Sequence, residues 1–219
     1  MDYDDFLELV KSRRSIRKFK PEPIPDEYVD RIIEAARWAP SGANTQPWEF
    51  IVVKKQELKE GIVQIIGEEM SQNPGRAAEQ RPGRVADRPR PHFSPGDIVS
   101  APVFILLIGD RRVRSMIPFP MPEPMWQLVF ISSLANAFIY MHLAATTLGL
   151  ASRWLSGVHL PPVQSRLKKL LGIPEEMEVF DMMVVGYPGA RPEPRPVRDR
   201  EEIVHYDYCG EEDFRVLRE

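Results

Sequence analysis

The spacing of hydrophobic residues along the chain predicts a series of helices and strands. Apolar side chains recur every three or four residues, the period of an amphipathic helix, in segments 3–12, 26–38, 56–70, 125–148 and 163–171. Short apolar runs bounded by turn residues are typical of strands and occupy 49–53, 103–108, 151–156 and 179–185. The pattern therefore predicts a fold that contains both kinds of element.

The longest predicted helix, 125–148, is apolar along most of its length. One stripe contains Leu128, Ile131, Phe138 and His142, and small residues elsewhere on the helix permit close approach of another helix. We therefore predict a central core helix that also contributes to a subunit interface. His142 falls within the apolar stripe, and we interpret it as a core residue and not as a catalyst.

Three segments lack a clear hydrophobic period and are rich in Arg, Pro or Gly. We predict a single domain over residues 1–219, with irregular insertions at about 71–96 and 111–124. Loops of this length inside a domain are uncommon and are often functional or flexible. The last segment, about 190–219, lacks a core of its own, and we predict that it wraps a second subunit.

Composition narrows the function classes. The chain has 219 residues, 43% of them hydrophobic and 28% charged, with a net charge of −3. The negative balance, and the absence of aromatic residues within the basic run 76–90, argue against a nucleic-acid partner. The single cysteine, Cys209, excludes an internal disulfide and a cysteine-based metal cage. The N-terminus is unlike a signal peptide, and no apolar run reaches about 18 residues, so we expect no membrane span and a cytoplasmic protein.

The basic segment, residues 13–19, has the sequence RRSIRKF. Three guanidinium groups lie within five positions, with the Ser15 hydroxyl between them. Arginine suits phosphate because its planar fork donates two parallel hydrogen bonds. The segment by itself also fits a solvated basic turn after a helix, since charge runs are usually on the surface.

The amide loop, residues 40–48, has the sequence PSGANTQPW between a helix and a strand. It carries a hydroxyl, a glycine and the side-chain amides of Asn44 and Gln46. Glycine lets backbone approach a ligand closely, and amides can hydrogen-bond a polar heterocycle. An ordinary helix-to-strand turn is the alternative, although such a turn does not need so many amides.

Together these motifs resemble the nitroreductase family of FMN-dependent oxidoreductases. The likeness includes RRSIRKF at 13–19, APSGANTQPWEFIVV at 39–53, LAATTLGLASRW at 143–154 and the GYP turn at 186–188. It implies an α+β, three-layer α-β-α fold with a mixed sheet flanked by helices. It also implies an intertwined homodimer with one FMN in each of two interface sites.

The resemblance further implies which residues bind FMN. Arg13, Arg14, Ser15 and Arg17 match the positions that hold the phosphate and ribityl chain. The loop beside the isoalloxazine ring, contributed in part by the partner subunit, matches Pro40, Ser41, Gly42, Asn44 and Gln46. Backbone near flavin N5 matches Leu155, Ser156 and Gly157. Arg198, or Arg195, matches the tail arginine that closes on the phosphate.

The implied activity is ping-pong hydride transfer from NADH or NADPH, a transient visitor, through FMN to a small conjugated acceptor such as a nitroaromatic or quinone. The chain lacks the HExxH, GxSxG, CxxC, P-loop and GxGxxG motifs, and its histidines show no metal-ligand spacing. That absence agrees with chemistry supplied by a flavin and not by side chains. The alternatives are a reductive dehalogenase, a flavin-fragmenting enzyme, or a flavin-binding protein without turnover.

Overall fold

The computed structural model describes residues 2–72, 98–190 and 196–208. Most of the predicted 71–96 insertion and the candidate Arg195 therefore lie outside the described residues. The described helices are α1 (Tyr3–Ser12), α2 (Asp26–Arg37), α3 (Gln56–Gln72), α4 (Glu123–Thr147) and α5 (Pro161–Leu171). The strands are β1 (Trp48–Val53), β2 (Val103–Asp110), β3 (Ala151–Leu155) and β4 (Met177–Gly186). Each predicted helix and strand is confirmed, with ends shifted by a few residues.

The four strands form one sheet in the order β1-β2-β4-β3. All three strand pairs are antiparallel. The sheet differs in this detail from the expected mixed sheet. Among the described residues, parallel pairing is limited to a single bridge between Ser15 and Ser152. The β2 and β4 strands are buried along nearly their whole length, which explains their continuous apolar sequences.

Hydrophobic residues cover both faces of the sheet, and the α+β three-layer prediction is confirmed. On one face, apolar residues of α3 and α5 pack against Phe104, Leu106 and Val184. On the other face, α2 and α4 pack against Ile105, Leu107 and other strand residues of opposite parity. The alternation follows from the two-residue period of a strand, which sends successive side chains to opposite faces.

Helix α4 differs from the predicted stripe in its first half. Leu128 is 71% exposed and Ile131 is 41% exposed, whereas Trp126 and Phe130 are buried. The helix is apolar on several sides, so periodicity alone could not tell the core side from the outer one. It is long and apolar enough to cross a membrane by length and composition, but here it packs against the sheet and α2 as a core helix.

The segment 111–124 is less irregular than predicted. Residues Arg111–Met116 form a 3-10 helix, and α4 begins at Glu123. Arg111 donates hydrogen bonds to Glu123 at 2.6 Å and to Glu178 at 3.1 Å, and its guanidinium lies over the Phe130 ring. These contacts attach the segment to α4 and β4.

Candidate flavin site

The basic segment lies along the edge of the sheet. The Ile16 amide donates to the Ser152 carbonyl of β3 at 3.0 Å, and the Lys20 amide donates to the Tyr187 carbonyl at 3.0 Å. Ile16 and Phe19 are buried and anchor the segment in the core. Because these apolar anchors point inward, the basic side chains between them are left on the outer side.

Arg14 and Ile16 border a cleft of about 180 Å³. Its other walls are residues from the end of α1, the end of α4, the start of β3 and the turn after β4: Ser12, Thr146, Leu150, Ala151, Ser152, Pro188 and Ala190. Arg13 and Arg14 are half-buried, and Ser15 and Arg17 are exposed. Guanidinium, hydroxyl and backbone donors beside an open cleft fit a phosphate group.

The charge of the basic segment also acts on the core beneath it. His142 of α4 is 1% exposed, and its Nδ1 lies 2.7 Å from the Ser152 Oγ. Burial, with the nearby Arg13 charge, lowers the pKa of His142 to about 3. The prediction of a core histidine is confirmed. Its Nε2 has no hydrogen-bond partner within the described part of the chain. Because of the low pKa, the imidazole is neutral and adds no charge beneath the basic segment.

The amide loop has a strained backbone. Ala43, Asn44 and Gln46 have φ angles of 50°, 53° and 44°, in the left-handed region that non-glycine residues seldom adopt. The backbone N–H of Gln46 donates to the Ser41 Oγ at 3.0 Å, which helps to hold this conformation. Strain of this kind clusters at ligand-binding sites when the surroundings enforce it.

Contacts with α4 enforce the loop's position. The Gly42 amide donates to the Ser133 Oγ at 3.1 Å, and the Asn136 side chain donates to the Pro40 carbonyl at 3.1 Å. A Cβ added at Gly42 would lie 2.1 Å from the Val129 Cγ1, so glycine is required for this close approach. The loop therefore exposes Asn44 and Gln46 from a rigid base.

The basic segment and the amide loop meet α4 at different places. The loop contacts Ser133 and Asn136, whereas Thr146 lines the cleft beside Arg14. At 1.5 Å per residue these positions are about 15–20 Å apart along the helix. One chain therefore does not bring the two groups of predicted residues together into one small site.

The remaining predicted residues occupy two other places. Leu155 is buried at the end of β3, Ser156 is exposed and Gly157 is half-buried in the 3-10 helix that follows. Arg198 donates to the Glu202 side chain at 3.1 Å and to its carbonyl at 2.6 Å. Among the described residues no hydrogen bond or ion pair joins Arg198 to the basic segment, so its phosphate role stays a prediction.

Sequence reasoning missed the residues that support the site. Ser133 and Asn136 hold the amide loop, and their spacing of three residues on an otherwise apolar helix was an available signal. Asp181 was also missed, because it lies inside the apolar run of β4. It is 4% exposed, and only contacts distant in sequence explain how a carboxyl group is tolerated there.

Trp154 and His159 supply those contacts. The Trp154 indole donates to the Asp181 Oδ2 at 2.5 Å, and the His159 Nδ1 lies 3.4 Å from the Oδ1. Burial is the main cause that raises the pKa of Asp181 to about 6, while the bonds to Trp154 and His159 act in the opposite direction. Trp154 in turn stacks on the buried His142, with ring centroids 5.6 Å apart.

Comparisons with known proteins agree with this fold. A model of the nitroreductase family matches residues 10–187. Over 202 residues the chain is 30% identical to a Methanothermobacter thermautotrophicus protein provisionally named NADH dehydrogenase/NAD(P)H nitroreductase, covering 91% of this chain and 85% of that protein.

Similarity extends to a second type of relative. The chain is 32% identical over 188 residues to iodotyrosine deiodinase 1 of Rattus norvegicus, covering 86% of this chain but 64%, less than two thirds, of that protein. A structure of oxidized iodotyrosine deiodinase bound to FMN and 3-iodo-L-tyrosine matches with a TM-score of 0.72 and 26% identity, covering 93% of this chain and 99% of that one. The family match spans the basic segment, the amide loop and the whole sheet, and the chain belongs to the nitroreductase family.

Proposed function

We propose that this protein is an FMN-dependent oxidoreductase that takes reducing equivalents from NADH or NADPH. The observation that carries the proposal is the basic segment beside the cleft, where Arg13, Arg14, Ser15 and Arg17 would hold the phosphate. A phosphate monoester carries nearly two negative charges at neutral pH, and each charge-assisted hydrogen bond contributes about 1.5–3 kcal/mol.

The strained amide loop supplies the second wall. Pro40, Ser41 and Gly42 would lie beside the isoalloxazine ring, and the exposed amides of Asn44 and Gln46 would bond its polar edge. Leu155, Ser156 and Gly157 would approach flavin N5. When bound, FMN supplies hydride chemistry, accepting a hydride from a nicotinamide and passing reducing equivalents to a small conjugated acceptor in a ping-pong cycle. The protein's own task is to position both ligands and to leave one face of the ring open.

A homodimer explains how the two walls meet. The basic segment and the amide loop are about 15–20 Å apart along α4, so we propose that one subunit supplies the first wall and its partner supplies the second. Exposed apolar residues support such an interface. They lie on α1 and α4 and are Tyr3, Phe6, Val10, Met125, Leu128, Ile131 and Tyr140. Arg198, or Arg195, would complete the phosphate site.

Reductive dehalogenation is the second candidate activity. It is favoured by the 32% identity to iodotyrosine deiodinase 1. A flavoprotein that binds FMN without turnover would use the same contacts. The cytoplasmic location and the identity of the acceptor stay predictions.

Anaerobic titration separates these alternatives. The protein, saturated with FMN, is mixed with NADH or NADPH, and the flavin absorbance is followed before and after a quinone, a nitroaromatic or 3-iodotyrosine is added. We expect bleaching by a nicotinamide and recovery with a quinone or nitroaromatic. Recovery with iodotyrosine alone would indicate a dehalogenase, and no bleaching would contradict the oxidoreductase proposal.

Arg14→Ala tests the phosphate site directly. Loss of the guanidinium removes one or two charge-assisted bonds, so FMN affinity should fall at least about tenfold, the equivalent of 1.4 kcal/mol. Flavin fluorescence quenching measures the dissociation constant, and circular dichroism of the apoprotein checks that the fold is retained. Wild-type affinity in the folded variant would show that the phosphate binds elsewhere.

A further inference from the structure

The function proposed above leaves one proton without a source. Reduction of a quinone to a hydroquinone takes two electrons and two protons. A hydride delivers both electrons and one proton, so one more proton must reach a carbonyl oxygen of the acceptor. None of the residues assigned to FMN binding has a side chain suited to donate that proton at neutral pH.

Asp181 and His159 form an acid–base pair that the cofactor site does not use. Within the described ranges, Asp181 is the only buried carboxyl group, and its pKa is raised to about 6 chiefly by burial. The His159 side chain is 53% exposed, and its Nδ1 faces the Asp181 Oδ1 at 3.4 Å. Because the two ring nitrogens lie on different sides of an imidazole, Nε2 is directed away from the carboxylate.

His159 follows closely in sequence on the residues proposed to approach flavin N5, Leu155, Ser156 and Gly157. The segment Ser156–His159 is a single 3-10 turn, and side chains three residues apart eclipse one another in a 3-10 helix. His159 therefore shares a side of this turn with the exposed Ser156. Leu155 is about 10 Å along β3 from Ser152, where the basic segment is attached, so under the proposed function the turn would lie on the ring side of the phosphate.

Several charged groups on the elements packed around the pair have other partners. On α5, Arg166 pairs with Glu68 at 2.7 Å and Lys168 pairs with Glu175 at 3.6 Å. On β4, Glu178 is bound by Arg111, and on α4 the neutral His142 stacks on Trp154. Arg153 is next to Trp154 on β3. Its side chain lies on the opposite face of the strand, because successive side chains of a strand alternate between faces.

We propose that His159 donates the second proton to the acceptor, and that Asp181, anchored by the Trp154 indole, is the positioning residue for His159. In this step the Nε2–H bond of the imidazolium breaks, an O–H bond forms on the acceptor, and the hydride supplies both electrons. Solvent or the Asp181 carboxyl then returns a proton to the imidazole. The inference rests on the proposed oxidoreductase function.

Stopped-flow reoxidation tests His159. The FMN-loaded enzyme is reduced with dithionite, which does not depend on NADH or NADPH, and is mixed with a neutral quinone or with ferricyanide, which accepts electrons without a proton. We expect His159→Gln to slow reoxidation by the quinone about 100-fold, the lower range for a positioned acid, and to leave ferricyanide unaffected. Equal quinone rates in the variant and wild type would overturn the proposal.

Control variants separate a catalytic role from a structural one. His205→Gln changes another exposed histidine, and we expect wild-type rates. Asp181→Asn keeps an acceptor for Trp154 but removes the charge beside His159, so the pH profile of reoxidation by the quinone should change, whereas reoxidation by ferricyanide should not. An unchanged profile in Asp181→Asn would show that Asp181 does not act through His159.

An NMR titration of the apoprotein tests the coupling of Asp181 and His159 without an activity measurement. The ¹⁵N-labelled Trp154 indole resonance, assigned with Trp154→Phe, should titrate with Asp181 at about pH 6. Its midpoint should rise in His159→Gln, because His159 lowers the pKa of Asp181. An unchanged midpoint would mean that the two groups are not coupled. Failure of NADH and NADPH to reduce wild type would count against the proposed function alone, since dithionite still permits the quinone test.

Discussion

At the scale of single residues, Gly42 shows how the amide loop depends on a close contact. An added methyl group would lie 2.1 Å from Val129, a distance that forces the loop, α4 or the Val129 side chain to move. The loop already holds three non-glycine residues at positive φ, so it has little freedom to relax. Its geometry is therefore determined by α4 as much as by its own sequence.

Gly42→Ala should displace the loop and weaken FMN binding, and overpacking of this kind typically costs about 1–3 kcal/mol of stability. Val129→Ala alone removes the obstructing methyl groups and serves as the matched control. The double variant should recover both the unfolding free energy and FMN affinity relative to Gly42→Ala. Urea unfolding and flavin fluorescence measure the two effects, and no recovery in the double variant would contradict the assigned clash.

Two buried titratable residues should make stability depend on pH in opposite directions. The pKa of His142 is lowered to about 3, so the unfolded chain alone binds this proton between about pH 6.5 and 3, and stability is lost as pH falls. The pKa of Asp181 is raised to about 6, so the folded chain alone binds that proton between about pH 4 and 6, and stability is lost as pH rises.

His142→Asn should therefore remove a slope of about 1.4 kcal/mol per pH unit between pH 4.5 and 6. The variant should be less stable at every pH, but the difference from wild type should shrink toward acid. Urea unfolding of the apoprotein measures the slope, and Asp181→Asn should change it with the opposite sign. Parallel curves for His142→Asn and wild type would show that His142 does not titrate as described.

Residue identities could be predicted from sequence only where a local motif carried them. RRSIRKF and PSGANTQPW are short continuous motifs, and each is located where a ligand could reach it. Asp181 and Ser133 act through partners 22 to 91 positions away. No local pattern encodes such distant contacts, so these residues could be found only in the folded chain.

At the scale of elements, α4 connects the core, both walls of the site and the proposed interface. Its inner side buries Trp126, Phe130 and Phe138, while Leu128 and Ile131 are exposed. The sequence predicted the helix and its core role correctly. The sequence could not show which side of α4 faces the core and which is exposed, because a helix that is apolar nearly all round has no single hydrophobic direction.

Leu128→Glu should weaken the proposed dimer by burying a charge in an apolar interface. FMN affinity should fall with dimer content if each site uses two subunits. Met70→Glu is the matched control, because Met70 is 49% exposed on α3. Sedimentation velocity and flavin titration measure the two properties, and a dimeric Leu128→Glu variant with normal FMN affinity would place the interface elsewhere.

At the scale of the whole molecule, the candidate site is divided between the middle and the C-terminal end of one long helix. The sheet edge and the end of α4 carry the basic segment, and the middle of α4 carries the amide loop. The sequence motifs predicted both walls, but their separation within one chain is a property of the fold. The proposed two-subunit site would bring both to one flavin.

Subunit mixing tests this composite site most directly. Arg14→Ala impairs one wall, and Asn44→Gly with Gln46→Gly removes the loop amides while keeping a residue suited to positive φ. Differently tagged subunits of the two variants are mixed, and the mixed dimer is purified. FMN stoichiometry is then measured at a concentration at which neither variant homodimer binds.

If each site takes its walls from two subunits, both defects fall in one site and the other is wild type. The mixed dimer should then bind one FMN with wild-type affinity. If each site lies within one chain, every site carries one defect. Mixed dimers that bind no FMN would contradict the account.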